Sequence, residues 1–228
     1  MMSLKELIDK YNIKKWLLFL GMLLFFLTFE LIFFLFGVDL VNLSFNDYLK
    51  IELFKDIFFF ILLGIIYRKY LTEKWLDFWK NIKTYFPISF KDWFAGFIVM
   101  MVANIIISNF ISGAGENEAA VQNLISKAPF IALLMTTFFA PFIEEMIFRK
   151  ILKDAVPYPI TFMIVSGFIF GLVHVIGASN IYEYLLIISY GSLGFFFAKT
   201  LNKTDNIFCT IMMHMMHNGI LTILAMVI

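Results

Sequence analysis

Glu144 and Glu145 stand side by side in an otherwise apolar run, and the three histidines of the chain, His174, His214 and His217, stand in apolar runs of their own. A charged side chain at the centre of a bilayer costs about 2.5–3.5 kcal/mol on insertion scales, so each such residue calls for a partner or a task. A carboxylate with imidazoles can take a proton from water and return it. Imidazole and amide N–H groups can donate to an oxygen that gains negative charge, so the set suits proton transfer to and from a bound water. Spacing divides the work. Glu145 and Arg149 are four apart, acid before base, and can pair along one helix face. Glu144 is turned about 100° from its neighbour and can face a cavity while Glu145 is neutralised. His214 and Asn218 also share a face and can act on one object, whereas His217 is read as packing or support beside them.

Such residues need membrane helices to hold them at one level. The chain is 61% hydrophobic with 30 Phe, more apolar surface than a soluble domain of 228 residues could hide. A span takes about 20 residues. Seven candidates run over residues 16–36, 49–67, 93–111, 130–151, 159–176, 182–198 and 206–227. The first is too long for a signal-peptide core and lacks a small-residue cleavage site after it, so it is expected to remain as a span. Lys55 and Asp56 near the start of the second suggest a tilted or partly interfacial segment. Residues 68–91 place Trp75, Phe78, Trp79, Ile82 and Phe86 at helical spacing among lysines, which predicts an amphipathic helix in the interface.

Counting Lys and Arg by side orients the bundle. With the N-terminus inside, the inner segments, Lys5 and Lys10 among them, hold 15 of the 18 basic residues, and only Lys50, Lys55 and Lys127 fall outside. That asymmetry predicts a multi-pass protein of the cytoplasmic membrane with its N-terminus inside and its C-terminus outside. At about 1.5 Å per residue from the inner helix ends, Glu144 lies roughly 15 Å deep, His174 roughly 22 Å, His214 roughly 12 Å and Asn218 roughly 18 Å. The depths overlap, as a shared site requires. The outer loop from Ser112 to Pro129 carries Gly113, Gly115, Glu116, Asn117 and Glu118 ahead of a short helix, Ala119 to Ser126.

Three motifs in order carry a resemblance: Glu144, Glu145 and Arg149 as EExxxR, Phe170 and His174 as FxxxH, and His214 and Asn218 as HxxxN. The chain resembles the CAAX protease and bacteriocin-processing family of intramembrane glutamate endopeptidases, which includes the Ras-converting CAAX endopeptidase. The likeness covers about residues 116–227. It implies an all-α polytopic membrane bundle in which Glu144 is the general base and His174 helps to hold and polarise the water. His214 and Asn218 would stabilise the oxyanion, and Glu145 with Arg149 would brace the helix. No cofactor is implied. Lys150 stands where the family often has Gly after the arginine, a position peripheral to the chemistry.

Residues 1–111 are read as N-terminal membrane helices with the interfacial helix, and 112–228 as the catalytic core of the same integrated membrane domain. The expected partners are the lipid bilayer and a peptide or protein substrate, such as a peptide precursor or a membrane-protein tail. No block of like charge points to nucleic acid, and the lone Cys209 offers neither a disulfide nor a CxxC metal site. A zinc-dependent membrane protease stands as an alternative, because two histidines and a carboxylate with an open position also describe a catalytic zinc site, although no HExxH helix is present. A non-catalytic adaptor or bacteriocin-immunity factor on the same fold is a second alternative. A proton-coupled transporter lacks the paired halves that such folds show.

Overall fold

A computed structural model describes residues 12–111, 113 and 115–227; Lys5, Lys10 and residue 112, where the expected core begins, lie outside the described residues. Among the described residues ten helices follow one another: α1 (Ile13–Leu27), α2 (Leu31–Leu35), α3 (Phe45–Ile66), α4 (Arg68–Lys80) and α5 (Ile82–Ile107), then α6 (Glu116–Lys127), α7 (Pro129–Ala155), α8 (Pro159–Val173), α9 (Leu186–Thr204) and α10 (Ile207–Val227). A 3-10 turn over Ile181–Leu185 leads into α9. The described residues contain no strand, and the fold is the expected all-α membrane bundle. Leu17, Ile105, Ile164 and Leu224 turn outward, each at least half exposed. The inner cluster draws Phe19, Phe59 and Leu63 together with Ile143, Met146, Phe162 and Ile211.

Among the described residues four helices are long and apolar enough to cross a bilayer: α5, α7, α10, and α9 with its leading turn. The other three expected segments depart for separate reasons. The first breaks between α1 and α2, where the Thr28 hydroxyl donates to the Leu24 carbonyl at 2.8 Å. α3 has the length, at 22 residues, but carries Asp47, Lys50, Glu52, Lys55 and Asp56. α8 has only 15 residues, short of a full span. The interfacial segment is also shorter than its periodicity suggests. It ends at Lys80 because the Asn81 side chain turns back onto the Asp77 carbonyl and carboxylate, and residues 82–91 begin α5, with Pro87 inside it.

Close approach of α8 and α9 rests on missing side chains. A Cβ at Gly167 would stand 2.7 Å from the Gly191 carbonyl, one at Gly194 would stand 3.0 Å from the Gly167 Cα, and one at Gly171 would collide with the Ile187 carbonyl. Small residues let membrane helices pack backbone to backbone where no hydrophobic force draws them together. α9 meets α5 through buried Asp92, which accepts from Lys203 at 2.8 Å and lies 3.5 Å from Lys199.

The start of α10 is fixed by Asn206, whose amide donates to the Lys74 carbonyl at 2.7 Å and to Asp77 at 2.9 Å. Asp77 also accepts from Tyr85 at 2.8 Å, and Asp205 pairs with Lys74 and Lys153, each at 3.0 Å. Helix α4 therefore anchors the start of α10, the helix that carries His214, His217 and Asn218.

Candidate active site

The glutamate pair lies in a six-residue α-helical stretch, Ala140–Glu145, between two π-helical segments, Met135–Phe139 and Met146–Ile151. Pro141 is one cause: it has no N–H to give to the preceding turn. The Thr136 carbonyl, five residues back, takes the Asn218 amide instead, at 3.0 Å. Thr136 Oγ1 also meets Thr222 Oγ1 at 2.9 Å. Residues 214, 218 and 222 thus form a polar ladder down one face of α10, against α7. Gly219 allows the approach, since a Cβ there would press on Thr137 at 3.2 Å.

At the foot of the ladder His214 engages both carboxylates. Its Nδ1 lies 2.9 Å from Glu145 Oε1, and its Nε2 lies 3.7 Å from Glu144 Oε2. Glu145 is fully buried and accepts from Nδ1–H, because its other oxygen faces Arg149 Nε at 3.2 Å. That ion pair lacks the angle of a hydrogen bond. The Arg149 guanidinium is held instead between aromatic faces, 4.3 Å from the Phe170 ring centroid and 5.5 Å from that of Phe197. Glu144 differs from its neighbour: its side chain keeps 15% of its exposure, and Oε2 is buried without a hydrogen-bond partner.

His174 is placed otherwise than expected. It is not inside a helix but caps the C-terminus of α8, with φ −75° and ψ −9°. Its Nδ1 lies 2.8 Å from the Phe170 carbonyl, which leaves Nε2 for the site. Its ring packs on Phe170 at 4.4 Å and stacks on Tyr190 at 4.6 Å. The Phe of the FxxxH motif therefore serves three groups at once, because the same ring carries Arg149 and lies edge-on to His214 at 5.9 Å. Tyr190 in turn accepts from Asn117 at 3.3 Å. A small crevice lined by Gly115, Asn117, Glu183 and Tyr190 reaches His174 from the α6 end of the bundle.

The structure thus gathers Glu144, Glu145, Arg149, His174 and His214 around Phe170. Asn218 stands one turn along α10, its amide committed to Thr136, and His217 faces away, accepting from Trp93 Nε1 at 3.4 Å. Sequence reasoning missed Thr136, Thr222, Tyr190 and Trp93. Only Thr222 had a linear signal, the four-residue step beyond Asn218. Among the described residues no group of three or more His, Cys, Asp or Glu side chains is arranged to hold a metal ion.

Residues 126–220, which hold every part of this arrangement except Trp93, Gly115, Asn117 and Thr222, match the family described as type II CAAX prenyl endopeptidase Rce1-like. Through this segment the chain is similar to the CAAX protease family. A curated relative, the putative membrane peptidase YdiL of Bacillus subtilis (strain 168), is 30% identical over 141 residues, covering 58% of this chain and 54% of that protein. The chain therefore spans about half the length of that relative. No solved structure matches the chain. The segment that matches the family model begins after α5 and contains the motif-bearing helices.

Proposed function

We propose that the chain is an intramembrane endopeptidase that hydrolyses a peptide bond with a water activated by Glu144. One observation carries the reading: a partly accessible carboxylate side chain turns its buried, unpartnered oxygen to an imidazole whose other nitrogen is fixed by a second, arginine-paired carboxylate. An imidazole oriented in this way presents one defined nitrogen to the reaction. In the proposed step Glu144 takes a proton from water as the water attacks the carbonyl carbon. Glu144 then gives that proton to the leaving amine, and the C–N bond breaks. His174 Nε2 helps to hold the water. His214 Nε2, when it carries a proton, donates to the oxyanion. Asn218 is the second proposed oxyanion donor; to serve, its amide must exchange Thr136 for the substrate.

The substrate is proposed to be a peptide precursor or a membrane-associated protein, and the step to need no metal. The charge asymmetry supports a cytoplasmic membrane location with the N-terminus inside and, on the seven-span reading, the C-terminus outside.

The test compares membrane and secreted peptides by mass spectrometry in a deletion strain complemented with the unaltered chain, Glu144→Gln, His174→Ala or His214→Ala at matched membrane levels. The expected result is one set of peptides lost in the deletion and in all three variants, with at least about 100-fold less product from Glu144→Gln. Cleavage by purified protein is expected to persist in a chelator. Full complementation by all three variants would instead make the cluster structural.

A further inference from the structure

Two carboxylates on α3 have no role in the chemistry above, and they point inward. Leu49, Glu52, Asp56, Phe59 and Leu63 recur at alternating three- and four-residue steps and form the buried stripe of that helix. One helical turn beyond Asp56, Phe60 packs on Phe142 at 4.7 Å, so the stripe lies along the stretch of α7 that carries Glu144. Lys127, just before α7, stacks over Phe45, the first residue of α3, at 4.7 Å, so the two helices start at one level. At about 1.5 Å per residue, Asp56 lies roughly 16 Å down α3 and Glu144 roughly 22 Å down α7.

The local charge is unbalanced. Lys55 donates to Glu52 at 2.6 Å and to Glu30 at 3.2 Å, so one ammonium serves two carboxylates. Asp56, only 7% exposed, has no hydrogen bond or ion pair among the described residues, and Glu52 Oε1 is buried without a partner. An uncompensated buried carboxylate is costly and calls for a positive partner. The set does not have the arrangement of a metal site. A group that brings several N–H donors on a flexible arm suits two carboxylates about a helical turn apart, as a lysine or arginine side chain does.

We propose that Glu52 and Asp56 form a subsite for a basic side chain of the substrate, on the α3 side of the scissile bond. This rests on the peptidase reading of Glu144. An offset of roughly 6 Å along the bundle is about two residues of extended peptide, so the basic residue falls within two or three positions of the cleaved bond. The subsite lies outside residues 126–220, the segment that matches the family model.

The same peptide comparison tests it, with Asp56→Asn, Glu52→Gln and Asp56→Glu added at matched membrane levels. The probe is the set of endogenous peptides that Glu144→Gln abolishes. The expected result is that Asp56→Asn and Glu52→Gln lower, by about tenfold or more, the products with Lys or Arg within three residues of the new terminus. Other products stay within twofold, and Asp56→Glu restores the profile. Uniform loss, no loss, or loss unrelated to basic residues overturns the subsite while the peptidase reading stands. If Glu144→Gln abolishes no peptide, both fall.

Discussion

At the residue scale the neighbouring glutamates are made unequal by what surrounds them. Glu145 is buried between an arginine and an imidazole, while Glu144 keeps a free oxygen. The spacing rule for helical pairs made the Glu145–Arg149 contact legible from four-residue separation alone. It could not show that Arg149 is wrapped by Phe170 and Phe197, because those rings come from α8 and α9. Asn218 was legible as a site residue but not in its contact with Thr136, which depends on Pro141 withholding a donor 77 positions earlier. Two predictions separate its duties. Asn218→Ala should lower stability by about 1–3 kcal/mol by leaving the Thr136 carbonyl unpaired, read from thermal unfolding in detergent. Thr222→Val, next along the ladder, should cost about 1 kcal/mol and leave cleavage within twofold, since its partner Thr136 retains a bond to the Ala132 carbonyl.

At the element scale the sequence displayed helices where apolar runs are long, and it blurred their ends. Nothing in the run from Pro159 to Ile176 marks His174 as a cap, because the turn after it depends on Gly177 at φ +91° and on packing against Tyr190. The seam between α8 and α9 was unread for a different reason: glycine in a membrane run is common, and only the facing backbone shows that Gly171 has no room to grow. Gly171→Leu should force the two helices apart at about 1–3 kcal/mol or more, and with them the Phe170 ring that supports Arg149, His174 and His214. A lower unfolding midpoint together with lost cleavage is expected, whereas Gly64→Ala, which meets nothing within 4 Å, should change neither.

At the scale of the whole molecule, the asymmetry of basic residues and the share of apolar ones made a membrane bundle legible from composition. The helix count was harder to read, since apolarity alone ignores the break after α1 and the charge on α3. The end of the bundle near α4 and the α9–α10 turn is held by exposed ion pairs and hydrogen bonds with a pH signature. Hydrogen bonds from Asn206 and Tyr85 hold Asp77 below the ordinary aspartate value of 3.8. Burial of Asp205 works the other way but is outweighed by Lys153 and Lys74, so it too is lowered. A lowered folded-state value means stability that is complete above the unfolded value and lost as pH falls through the folded one. The contribution of these two carboxylates to the unfolding midpoint in detergent should therefore be level from about pH 7 to 5 and fall below about pH 4, and Asp77→Asn should flatten part of that fall.

The two π-helical segments on either side of Ala140–Glu145 give α7 an extra residue per turn above and below the glutamates. The stretch between them is therefore out of phase with both ends of its own helix. Its rotation is set by Asn218 and His214 rather than by the ends of α7, much as a key bit is set by its wards and not by its handle. Deleting a single residue from either loosened turn would restore ordinary α-helix there while turning Glu144 by about 100° away from His214. The helix would be more regular, and the glutamate would no longer face its histidine.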